Sequence, residues 1–94
     1  AIELHTGEYA LASNEQSRQR ELERLSESVA HAVSFGLIVN GGHGLHYHNT
    51  ADVAGIAGMN ELNIGHAIIA RALMTGIKEA VVDMRHLIDR ATRP

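Results

Sequence analysis

The sequence has no cysteine and no tryptophan, one proline, one phenylalanine and two tyrosines. Without cysteine there is no disulfide framework and no thiolate metal site, and a reducing compartment fits. The scarcity of proline, with 45% hydrophobic and 20% charged residues, excludes a disordered or collagen-like chain. Positive charge is also short: 8 Lys+Arg against 11 Asp+Glu leave a formal charge of −3, so no basic field attracts a nucleic acid. No apolar run approaches the roughly 18 residues of a membrane span. A cytoplasmic protein is expected, with neither nucleic acid nor membrane as partner. At 94 residues a second domain is excluded, since domains typically run to about 100–150 residues.

What the chain does have is seven histidines and nine glycines, and they cluster. Residues 1–7 read as a strand, with Ile2 and Leu4 on one face and Glu3 and His5 on the other. Ser13 and Gln16 have capping-box spacing ahead of a helix whose apolar stripe is Leu22, Leu25, Val29, Ala32 and Val33, stopped by Gly36. Residues 37–40 read as a second strand that runs straight into Gly41-Gly42-His43-Gly44. Asn49 is placed to cap a short helix through Val53 and Ile56, with Asp52 in its first turn and Gly58 at its end. Residues 61–64 form a third strand, followed by Gly65-His66, a helix over 67–74, and a break at Thr75-Gly76. A last amphipathic helix carries Ile77, Val81, Met84, Leu87 and Ile88 and ends in Arg90 and Arg93, cations that suit a helix C-terminus.

Strands alternating with helices, without hairpin signals, predict parallel strands with right-handed crossovers. A parallel sheet covered on both faces is apolar on both. Here Glu3, His5, Glu61 and Asn63 make one face polar, and Asn40 ends the second strand, which suits a barrel interior leading to an active site. Three strands cannot close a barrel, and the eight-stranded form needs about 250 residues. The expected fold class is therefore α/β, the last three βα units of a (β/α)8 TIM barrel, with residues 1–94 an incomplete single domain that continues upstream.

Two strand ends carry candidate chemistry. His43, flanked by Gly42 and Gly44, suits a proton donor or acceptor that the backbone lets close to a ligand; the same residues also read as a histidine in a glycine turn. Gly65-His66 opens a helix, so its N–H groups and the positive helix end suit a phosphate; alternatively the glycine only permits a tight turn. Glu3 has inward parity and suits charge stabilisation or proton transfer, or else a structural carboxylate bonded to His5 or a neighbouring strand. His43, His46 and His48 suggest a metal, but no carboxylate or cysteine completes a ligand set, and none is expected. His31 and His86 read as solvated helix residues, and Glu15, Arg18, Glu21 and Glu23 as a wet helix face.

Three motifs also carry a resemblance. Ile2-Glu3-Leu4-His5-Thr6-Gly7 with Tyr9-Ala10, then Val39-Asn40-Gly41-Gly42-His43-Gly44-Leu45 with Tyr47-His48-Asn49, then Glu61-Leu62-Asn63-Ile64-Gly65-His66-Ala67-Ile68-Ile69 follow in order. With Arg71-Ala72 and Met74-Thr75-Gly76, they resemble the C-terminal part of the pyridoxine 5′-phosphate synthase family over essentially the whole chain. The resemblance implies a (β/α)8 barrel whose sixth, seventh and eighth strands these are. It implies condensation of 3-amino-2-oxopropyl phosphate with 1-deoxy-D-xylulose 5-phosphate, releasing phosphate and water, without metal or organic cofactor, in a homo-octamer. By motif it makes His43 the proton donor and Glu3 the transition-state stabiliser, with Gly44, Gly65 and His66 holding 3-amino-2-oxopropyl phosphate. Gly41 and His46 depart from the pattern, where alanine and a small polar residue are expected. The family's other acid–base groups lie on earlier strands, so this segment alone is expected to be inactive. Another phosphate-binding barrel enzyme of aldolase or isomerase type, or a small non-catalytic phosphate- or metal-binding module, are the rival readings.

Overall fold

The computed structural model describes residues 1–92, which leaves Arg93 outside the described residues. Its elements are β1 (Ile2–His5), α1 (Gly7–Ala10), α2 (Glu15–Ser34), β2 (Val39–Gly42), α3 (Thr50–Ala54), β3 (Met59–Asn63), α4 (His66–Thr75) and α5 (Ile77–Thr92). The strands form one parallel sheet in the order β1-β2-β3, as the alternation of strand and helix predicts. Ile2, Leu4, Val39, Met59 and Leu62 turn to one face and pack with Leu25, Val29 and Ala32 of α2 and Val53 of α3. The other face, with Glu3, His5, Glu61 and Asn63, is exposed among the described residues.

Local chemistry explains where the elements stop, and corrects several expected boundaries. Asn14, not Ser13, caps α2, its Oδ1 accepting from the Ser17 amide at 2.8 Å. The far end closes as expected at Gly36 (φ +79°): its amide donates to Val33 O and that of Leu37 to Ala32 O, at 2.9 and 3.2 Å. This Schellman arrangement holds Leu37 at the helix end, so β2 begins at Val39 and extends into the glycines. β3 begins at Met59, where a bulge sets Val39 opposite Met59 but Asn40 opposite Glu61. The extra residue, Asn60, lets Met59 and Leu62 share the core face, and its side-chain Nδ2 donates to Asn40 Oδ1 at 3.1 Å.

α3 ends at Gly55, earlier than Gly58. Gly58, at φ +94°, lies under α2, where a Cβ would stand 3.0 Å from both Val29 and Val33. Val33 is nonetheless exposed, so the α2 stripe is Leu22, Leu25, Val29 and Ala32. On α5 the buried pair is Ala80 and Met84, while Ile77 and Val81 are exposed, the stripe lying on a different line from the one their spacing suggests. The short α1 has no periodic signal, being one turn long. No helix among the described residues is long and apolar enough to cross a membrane.

Arg18 leaves the wet face it was expected to share with Glu15 and Glu23. It pairs with Glu15 at 3.0 Å and with Asp52 of α3, and its guanidinium lies 5.7 Å from the Tyr9 ring centre. Tyr9 is 3% exposed and donates its hydroxyl to Asn49 O at 2.6 Å. Burial pushes its phenol above the ordinary tyrosine value, helped by Asp52 and Glu15 and opposed by Arg18. The fold therefore favours the neutral phenol: its contribution is complete below about pH 10 and is lost as pH rises through the raised folded value. Unfolding free energies measured from neutral to alkaline pH should fall there, and Tyr9→Phe should flatten that limb while costing about 0.5–1.5 kcal/mol for the lost hydrogen bond to Asn49 O.

Candidate active site

The C-terminal ends of all three strands open onto one cleft of about 580 Å³, whose lining includes Glu3, His5, His43, Gly44, Gly65 and His66. Parallel βα units place their strand ends together, which is why residues 60 positions apart meet here. The expected site residues Glu3, His43, Gly44, Gly65 and His66 thus converge.

β2 delivers His43 in an unusual backbone, at φ +99°, a conformation L side chains rarely adopt. Thr6, fully buried, stabilises it by donating its hydroxyl to His43 O at 2.6 Å. Gly44 follows at φ +76°, and a Cβ there would lie 2.6 Å from Ala10 Cβ. The loop beyond is strapped by Asn49, whose Oδ1 accepts from the His46 amide at 2.6 Å and whose Nδ2 donates to Gly44 O at 3.2 Å. Asn49 thus precedes α3 but makes no side-chain cap to it. Its loop role, like that of Thr6, carries no spacing signal, because the partners lie across turns or across strands.

Glu3 points along the open face and its Oε1 accepts from Asn63 Nδ2. The bond crosses β2 at Gly42, where a Cβ would stand 3.1 Å from Asn63 Cβ and 3.3 Å from Glu3 Oε1. Neither partner expected for a structural carboxylate, His5 or a neighbouring strand, is the one found: Asn63 lies on β3, one strand beyond β1's neighbour β2. The carboxylate remains exposed, so one oxygen is held and the group still faces the cleft.

α4 begins at His66 with Gly65 as its N-cap, and no side chain caps its first turn. Its leading N–H groups are open at the cleft margin, the arrangement that favours an anion. Nothing lies within 4 Å of a Cβ built on Gly65, which leaves the approach clear. Behind the first turn, Arg71 stacks on Tyr47 with 3.6 Å to the ring centre and pairs with Asp83 at 3.2 Å. Tyr47 in turn donates to Ala80 O at 2.6 Å, so the His43 loop, α4 and α5 are tied together. His46 and His48 lie with ring centres 6.0 Å apart, and His46 Nδ1 accepts from the His48 amide at 3.1 Å. No group of three or more His, Asp or Glu among the described residues is arranged to hold a metal. His31 and His86 are exposed on their helices.

Parallel βα units, one apolar sheet face against helices, and a polar cleft at the strand C-termini define an α/β protein, and they are consistent with part of a TIM-barrel type of unit. The chain belongs to the family described as pyridoxal phosphate biosynthesis protein PdxJ, whose model matches residues 1–90. It is 61% identical over 89 residues to a pyridoxine 5′-phosphate synthase of Alcanivorax borkumensis, covering 95% of this chain and 36% of that one. It is 58% identical over 90 residues to the synthase of Legionella pneumophila, covering 96% and 36%. The Idiomarina loihiensis synthase is likewise 58% identical over 90 residues, covering 96% and 37%. The chain therefore spans little more than a third of the length of these curated relatives.

Proposed function

We propose that this segment supplies part of the active site of a pyridoxine 5′-phosphate synthase, which condenses 3-amino-2-oxopropyl phosphate with 1-deoxy-D-xylulose 5-phosphate. The observation that carries the reading is the convergence of Glu3, His43, Gly44, Gly65 and His66 on one cleft, in a chain 58–61% identical to proteins of that name. In this reading the three βα units are the last three of an eight-stranded barrel, and residues 1–94 form one incomplete domain of a cytoplasmic enzyme. Ile69, Leu73, Met74 and Ile77, all more than half exposed, support burial of α4 and α5 against the rest of the barrel or another copy in a homo-octamer.

Schiff-base formation, dehydration and ring closure each need a proton delivered or removed. His43 serves as the donor, the role the family resemblance implies for it, and its place in the cleft beside bare glycine backbone supports that role. Glu3 stabilises cationic character developing on the imine nitrogen, with Asn63 fixing one of its oxygens. Gly44, Gly65 and His66 hold the phosphate of the amino ketone, the α4 N-terminus offering N–H groups to its oxygens. A fixed phosphate holds the amine in place for attack on the second substrate.

The test is turnover by the intact enzyme, followed by formation of pyridoxine 5′-phosphate when both substrates are supplied and its absence when the amino ketone phosphate is omitted. Product without the amino ketone, or turnover of an aldol or isomerase substrate instead, would replace the reading with another barrel chemistry. Gly65→Val separates binding from folding. Because open space surrounds a Cβ there, the melting temperature should fall only by the loss of a glycine N-cap, about 1 kcal/mol, while KM for the amino ketone phosphate rises about 10-fold or more as the side chain crowds the N–H groups. Unaltered affinity in titration calorimetry would remove Gly65 from the phosphate site.

A further inference from the structure

The end of β1 grips His43 at both backbone and ring. Thr6 binds its carbonyl, and the His5 ring lies against its ring, centroids 4.3 Å apart and planes 29° apart. Room for the stack depends on Gly7: a Cβ there would fall 2.5 Å from His5 Cε1 and 3.4 Å from His43 Cδ2. The Gly7 amide also donates to His5 Nδ1 at 3.2 Å. A ring nitrogen that accepts a hydrogen bond carries no proton, so this bond assigns His5 as a neutral imidazole protonated on Nε2. A neutral ring can lie face to face with an imidazolium, offering it a π surface, whereas two stacked cations repel.

We propose that His5 is a positioning residue for His43, its neutral ring anchored by the Gly7 amide and setting the plane in which the His43 imidazole presents its proton to the cleft. The inference rests on the reading of His43 as the proton donor. The other ionisable side chains of the cleft are Glu3, His46 and His66. Glu3 is engaged by Asn63, and His46 by the amide of His48. His5 is the ring stacked on His43 among the described residues. The unfavourable φ of His43 fits this arrangement, since such a backbone persists where surrounding contacts over-determine it.

His5→Ala and His5→Phe in the intact enzyme, with crystal structures and steady-state kinetics of each, test the proposal. In His5→Ala the His43 ring should leave its plane or split between rotamers, and kcat should fall about 10- to 100-fold with KM for both phosphates within about twofold. His5→Phe restores the stacking face without the Gly7 anchor, so it should return the ring plane and an intermediate kcat. The proposal is overturned if His5→Ala keeps kcat within about twofold of wild type, or if kcat falls with the His43 ring unmoved. A rise in KM with kcat unchanged would also overturn it, by making His5 a substrate contact. Wild-type enzyme that makes no pyridoxine 5′-phosphate would instead overturn the synthase reading, and the His43 ring plane in the two variants would then decide the positioning role alone.

Discussion

His43→Ala in the intact enzyme is expected to lower kcat by about 10²- to 10⁴-fold, the usual contribution of a positioned general acid. The affinity for 3-amino-2-oxopropyl phosphate should stay within about threefold, because the proposed phosphate site is the α4 N-terminus and not His43. Steady-state kinetics paired with calorimetric titration of the amino ketone phosphate would separate the two effects, and an unchanged kcat would remove His43 from the chemistry. Stability supplies a second handle. At φ +99° alanine keeps the backbone strain that histidine bears, whereas glycine relieves it. His43→Gly should therefore melt at a higher temperature than His43→Ala while being equally inactive. A His43→Gly protein less stable than His43→Ala would mean that the strained backbone is not what the side chain is held against.

Gly44→Ala should have the largest effect on stability of any single methyl added near the cleft. Its φ of +76° costs a non-glycine residue about 1–2 kcal/mol. The new Cβ would also stand 2.6 Å from Ala10 Cβ, on the last residue of α1, where no flexible side chain can swing away. Overpacking of this kind costs about 1–3 kcal/mol, so the sum is about 2–5 kcal/mol, a large share of the stability of an ordinary domain. The denaturant midpoint of the intact protein measures it. Adding Ala10→Gly should recover the steric share and leave the backbone share, and a double variant no better than Gly44→Ala would show that Ala10 is not the obstacle.

Much of this architecture is legible from residue order. The alternation of Ile2 and Leu4 with Glu3 and His5, the three- and four-residue spacing through Leu25, Val29 and Ala32, and the stop at Gly36 each depend on a few neighbouring residues and survive in the structure. So do the strand-end positions of His43 and Gly65, because a strand followed by a glycine loop and a helix ends where its ladder ends. Boundaries set by competition are less legible. Ser13 and Asn14 both offer an oxygen to the start of α2, and the turn leaving α1 through Leu11 and Ala12 puts Asn14 in the capping geometry. Asn49 has the residue type of a cap, but the tight His43–Asn49 loop takes both ends of its side chain.

By itself the sequence determined the order of strands and helices apart from the one-turn α1, the polarity of the two sheet faces and the residue types at each strand end, since these follow from local periodicity and backbone preference. Only the tertiary structure decided the bulge at Asn60, the Arg18–Asp52 pair, the Glu3–Asn63 bond across Gly42, and the seating of His5 on His43. Each of these joins residues brought together by strand register or helix packing, and register is a property of the assembled sheet that no window along the chain contains.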